Sequence, residues 1–210
     1  MTNLLATITT RFSQETWLRR ADRHVCELLL VILFPVGIGA SLAHGSSPDN
    51  NEYAVKAAFL FHFAQLTNWP SEAFEGSNGP LTFCTTGRDP FEGALETVLA
   101  GKMVKQHAIR ILHLKQLSGV EACHVLFIGS SESSRLATLL GNLRNLPILT
   151  TGEAEGFVQR GGMIGFQREQ ERLRFEVNLS AAEKCNMSFS SELLSLAKAI
   201  VPAKPDAASH

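Results

Sequence analysis

Between residues 81 and 150, short apolar runs alternate with segments of helical periodicity, and this pattern limits the possible folds more than any other feature of the 210-residue chain. Residues 81–85 (LTFCT) read as a strand running into Gly87-Arg88-Asp89-Pro90, and residues 91–99 then repeat apolar side chains at helical spacing (Phe91, Leu95, Val98, Leu99). Residues 108–114 (AIRILHL) alternate with period two, residues 123–128 (CHVLFI) are almost continuously apolar, and residues 135–143 carry a helical stripe ahead of Pro147-Ile148-Leu149-Thr150. Parallel strands need a crossover between them, so strands separated by helices predict an α/β fold with a mostly parallel sheet flanked by helices. The end of the chain departs from this: residues 163–168 and 172–177 flank the polar turn Glu169-Gln170-Glu171 and predict a C-terminal antiparallel hairpin. Residues 190–201 (SSELLSLAKAIV) read as one capped amphipathic helix.

Ahead of the first strand, Asp49 with Glu52 has the spacing of a helix start, and residues 53–67 are rich in Ala, Leu and Phe on more than one face. Asn68-Trp69-Pro70 ends that helix, because the residue before proline avoids the helical region. Phe59, Phe61 and Phe63 cannot all point one way, so at least one is expected to leave the subunit's own core for a partner or dimer interface. Trp69 has two readings, a core plug or a contact anchor beside them.

Residues 1–43 read differently from the rest. Arg19, Arg20 and Arg23 precede an apolar stretch from Leu28 to about Ile38, and Ser41-Leu42-Ala43 then gives a small-x-small site before polar residues. This is the order of a secretory signal peptide, with cleavage expected after Ala43. The alternative is an uncleaved amino-terminal anchor, which leaves the same domain outside the inner membrane. The expected organisation is a signal peptide over 1–43, one α/β domain over 44–201 and a flexible tail over 202–210. The exported part holds 15 basic against 17 acidic residues. With no basic surplus and no Lys/Arg stripe, nucleic acid is not expected as a partner.

Export also changes how the cysteines read, since Cys84, Cys123 and Cys185 then sit where disulfides form. Cys84 closes one predicted strand and Cys123 opens another. A bridge between them would close a loop of about 40 residues and contribute about 4 kcal/mol on the loop-entropy model. The alternative is two buried thiols. Cys185 is left over, as a buried thiol or an intermolecular bridge.

No HExxH, Walker A, GxSxG, CxxC or strand-linked GxGxxG sequence occurs, so no common catalytic motif is present and no enzyme activity is expected. His44, His62, His107, His113, His124 and His210 show no local metal-ligand spacing, and neither a metal nor a cofactor is expected. Two strand-to-helix loops remain as candidates. Arg88 in the first and Gly129, Ser130 and Ser131 in the second stand where α/β sheets bind ligands, and they would form an anion pocket if their strands are neighbours. The competing reading of each is a tight turn with a helix cap.

Several of these pieces occur together in one known family. Tyr53-x-x-Lys56-Ala57-Ala58-Phe59-Leu60 leading to Thr67-x-Trp69-Pro70 resembles the first helix of the YfiR-like family of exported proteins. So do Phe83-Cys84 with Gly87-x-Asp89-Pro90-Phe91, residues 123–128, residues 147–150, Gly161-Gly162-Met163-Ile164-x-Phe166 and residues 174–179 (RFEVNL). The resemblance implies a periplasmic α/β domain, often a homodimer, with no catalytic residues and with a disulfide at the positions of Cys84 and Cys123. It also implies a function: repression of a membrane-bound diguanylate cyclase or related sensor through its periplasmic part, relieved by an outer-membrane lipoprotein. A periplasmic small-anion sensor, built on Arg88 and the Gly129-Ser130-Ser131 loop, is the competing function. Some members carry a second cysteine pair near the glycines matching Gly161 and Gly162. This chain has none there, so redox regulation does not carry over from them.

Overall fold

The computed structural model describes residues 48–202 except 75, 77 and 78. The expected signal peptide, His44, His210 and the tail from residue 203 onward lie outside the described residues. Helix α1 (Pro48–Leu66) starts one residue before the predicted cap, with proline in the first turn, where its missing N–H breaks no hydrogen bond. The Thr67 hydroxyl donates to the Phe63 carbonyl at 2.7 Å, and the chain then extends into the short strand β1 (Thr67–Asn68).

The sheet follows from the predicted alternation. Strands β2 (Leu81–Thr86), β3 (Met103–Val104), β4 (His107–Leu114), β5 (Val125–Ile128), β6 (Leu149–Gly152), β7 (Ile164–Glu169), β8 (Arg172–Asn178) and β10 (Ala199–Val201) lie in the order β10-β8-β7-β6-β5-β2-β4-β3. Every neighbouring pair is parallel except β7 with β8 and β3 with β4. Strand β9 (Ser188–Phe189) pairs antiparallel with β1 and ties the end of α1 to the last part of the chain.

Successive residues of a strand face opposite sides, so the central strands feed two cores. Phe83, Val125, Phe127 and Leu149 pack with α1 and with α2 (Ala94–Leu99). Cys84, Leu126, Ile128 and Ile148 pack with Leu136, Leu139, Leu140 and Leu143 of α3 (Leu136–Leu143), and with Phe157 and Val158.

Three boundaries differ from the sequence reading. Helix α2 starts at Ala94 rather than residue 91, because Gly93 takes φ 87° and Phe91 is drawn into the core. Residues 120–122 form a turn of 3-10 helix, so β5 opens at Val125. Residues 190–201 are not one helix. Ser190 caps the short α5 (Ser191–Leu196) by accepting from the Leu193 N–H, and Ala199–Val201 then adds to the free edge of β8 as a strand. An open edge with unpaired N–H and C=O groups outweighs the helical pattern of an Ala-Ile-Val segment. Helix α4 (Leu179–Glu183), capped by Asn178, completes the five helices of the described residues.

Candidate functional site

The three phenylalanines of α1 separate. Phe63 is 2% exposed, with its ring 4.8 Å from Phe175 and 5.6 Å from Phe166. It is spent in the subunit's own core and is not available to a partner, which corrects its expected place at an interface. Phe59 is half-buried and reaches the same two rings, Phe175 at 5.9 Å and Phe166 at 6.1 Å. Phe61, also half-buried, lies under the Lys102 ammonium at 5.1 Å.

One face of α1 carries a stripe on which Val55 and His62 are exposed while Phe59 and Leu66, half-buried, pack against the core. Val55 (42% exposed), Phe59, His62 and Leu66 recur at spacings of four, three and four residues, which places them on one helical face. Helix α5 packs beside α1 and adds Leu196, 60% exposed. Trp69, by contrast, is half-buried against Phe74 at 6.1 Å and His124 at 6.5 Å, and Phe74 is stacked between His107 and His124. Its indole N–H is buried with no hydrogen-bond partner among the described residues, so this geometry favours the plug over the anchor.

Strands β2 and β5 are neighbours, so the two candidate loops do come together. The space between them is filled. Gly87 sits at φ 85°, and a Cβ there would meet the Ser131 hydroxyl at 2.5 Å. The Arg88 N–H donates to Ser131 Oγ at 2.9 Å, the Gly129 N–H to the Thr86 carbonyl at 3.1 Å, and the Glu132 N–H to the Gly129 carbonyl at 3.0 Å. Three of the backbone donors an anion would use are therefore occupied. The buried Glu132 carboxylate, paired with Arg135, adds a like charge beside them. Ser130 and the Arg88 side chain are exposed. The arrangement is that of a locked turn.

Two clusters escaped the sequence reading. Lys56, 3% exposed, is held between Glu52 at 2.7 Å and Glu153 after β6, and its ammonium lies 4.2 Å over the Tyr53 ring. The Tyr53 hydroxyl donates to the same Glu153 carboxylate. A lone lysine on an apolar helix four residues after a glutamate was the available signal. Buried charge of this kind survives only when paired.

The second cluster joins β4 to α2. His113 Nδ1 lies 2.8 Å from Thr85 Oγ1 and 3.4 Å from Asp89, while Nε2 lies 2.7 Å from Glu96. Hydroxyl, imidazole and carboxylate at these distances resemble a nucleophile with its base. Thr85, however, is 2% exposed within a strand, which leaves its hydroxyl little access to a substrate. The cluster works as a clasp. Burial acts to raise the Glu96 pKa, but hydrogen bonds from its own backbone and from His113, with the charge of His113, bring it below the ordinary value.

Cys84 and Cys123 form a disulfide with Cα atoms 5.8 Å apart, closing a separation of 39 residues. Cys185 is a buried thiol that donates to the Arg144 carbonyl at 3.1 Å, and burial pushes its pKa up against the opposing pull of Lys184. Among the described residues no group of His, Cys, Asp or Glu is placed to hold a metal, and no helix is long and apolar enough to cross a membrane. Residues 53–198 match the family described as YfiR/HmsC-like. No curated protein is similar enough to the chain to match it.

Proposed function

The chain belongs to the YfiR/HmsC-like family, a regulatory family of the periplasm, and on that premise we propose that it binds and represses the periplasmic part of a membrane-bound diguanylate cyclase or related sensor. It does so without catalysis, and an outer-membrane lipoprotein relieves the repression by sequestering it. The observation that supports this reading is the α1 face on which Val55 is exposed and Phe59 and Leu66 are only half-buried, with Leu196 exposed on the adjoining α5. The exposed Val55 and the partly open rings and chains of Phe59 and Leu66 are carried on a helix whose other side anchors the core. A helix that is apolar on more than one face, with one face on the core, has a second face suited to a groove or another helix.

The test is genetic and biochemical. Deleting the gene raises intracellular cyclic di-GMP several-fold, wild-type protein restores it, and a Val55→Glu/Phe59→Glu variant that stays folded does not. The cyclase co-purifies with the wild type and not with the variant. Unchanged cyclic di-GMP in the deletion strain would sink the reading. Sedimentation of the same variant reports whether the expected homodimer uses the stripe as well.

A further inference from the structure

The face of the sheet that α3 covers is incompletely closed. Beyond α3, a concave site of about 570 Å³ opens, within the usual size range of small-molecule pockets. Buried Leu140, Val158 and Met163 give its floor an apolar part, beside buried Thr150 and Asn178, whose side chains already hydrogen-bond the backbone of Met163, Val158 and Ala181. Its rim carries Arg144 after α3, Arg160 on the turn before β7 and Lys184 after α4, and no Asp or Glu lines it. Among the described residues, neither Arg144 nor Lys184 has a carboxylate within 4.0 Å. The Arg160 guanidinium makes one long contact, 3.5 Å to the Ser133 carbonyl.

Three cations gathered on one concavity without a counter-charge make a positive potential that a low-dielectric floor focuses. An inorganic ion would answer the rim and leave the floor wetted. A neutral apolar molecule would answer the floor and leave the rim uncompensated. We propose that this cavity binds a small amphiphilic organic anion, its apolar body on Leu140, Val158 and Met163 and its carboxylate, sulfonate or phosphate among Arg144, Arg160 and Lys184. This is a ligand site distinct from the filled Arg88 and Ser131 loops. None of the α1 stripe residues lines it, so it stands or falls independently of the proposed repression.

Cys185 supplies a built-in reporter, since its residue lines the same cavity. The protein, purified as the cell produces it, is titrated with the fluorescent anion 1-anilinonaphthalene-8-sulfonate. One dye binds per chain, decanoate displaces it, and decanol, of the same length without charge, does not. Arg144→Glu/Lys184→Glu weakens dye binding about tenfold, the loss expected for two charge-assisted contacts. Arg172→Glu/Arg174→Glu, an equal charge change on the exposed hairpin, leaves it within about twofold. Saturating decanoate slows iodoacetamide labelling of Cys185, followed by peptide mass spectrometry. Displacement by decanol as effective as by decanoate, or Cys185 labelling unchanged at saturation, overturns the proposal. Both of these readouts use the wild-type protein and do not depend on the charge variants folding.

Discussion

The two faces of the sheet are covered in opposite ways. On one, α1 brings more apolar surface than the sheet can bury: Phe63 fills the core, Phe59 and Leu66 are only half-buried against it, and Val55 is left 42% exposed. On the other, the eight-residue α3 is too short to cover the strands, and the cavity beside it is closed by nothing among the described residues. A surplus of apolar side chains makes a convex surface suited to another protein. A deficit makes a concavity suited to a small molecule. One domain can therefore offer a protein surface and a ligand site without either intruding on the other.

The largest expected effect tests whether the α1 face is a core before it is an interface. Phe63→Ala should cost about 3–5 kcal/mol, measured by urea unfolding, because it empties a cluster of aromatic rings. Phe59→Ala should cost clearly less, since that ring is only half-buried; equal losses would erase the distinction between inner and outer faces. On the α3 face the disulfide comes next: Cys84→Ser should lower stability by about 4 kcal/mol and expose a reactive thiol at Cys123. Native protein in which thiol reagents label all three exported cysteines would contradict it.

A smaller effect sharpens the account of the cavity wall. Phe157 lies against Gly152 and Gly162, where an added Cβ would come within 2.3 and 2.1 Å of its ring. Gly162→Ala should cost about 1–3 kcal/mol by overpacking, and it should alter dye uptake in the neighbouring cavity, because the displaced ring adjoins Val158. The smallest effect concerns the clasp between β4 and α2. The Glu96 carboxyl is held below its ordinary value, so its stabilising contribution is present above the normal glutamate range, about pH 4.3, and is lost as pH falls through the lower folded value. In His113→Ala the Glu96 carboxyl carbon, followed by NMR, should titrate at higher pH than in the wild type.

The sheet was legible in the sequence because its signals are local. CHVLFI is apolar enough to be a buried central strand wherever it lies, and AIRILHL shows its two faces directly. The polar Glu169-Gln170-Glu171 turn likewise marked the hairpin, although Gln170 and Glu171 take positive φ without the help of glycine. The segment over residues 190–201 was not legible. Its helical pattern is real, but the strand at Ala199–Val201 depends on a free edge of β8 that exists only after the hairpin has formed. The sequence left each candidate loop open between an anion pocket and a tight turn, because the Ser131 side chain that decides for the turn acts across 43 residues of sequence.

Short-range periodicity and residue chemistry thus determined the fold class, the helix that exceeds its core, and the pair of cysteines near enough to bridge. Tertiary structure alone decided which phenylalanine turns inward, which carboxylates meet Lys56, and where cations collect without partners. Those outcomes depend on distances between segments far apart in the chain, and such distances are set by how the layers stack rather than by any local propensity.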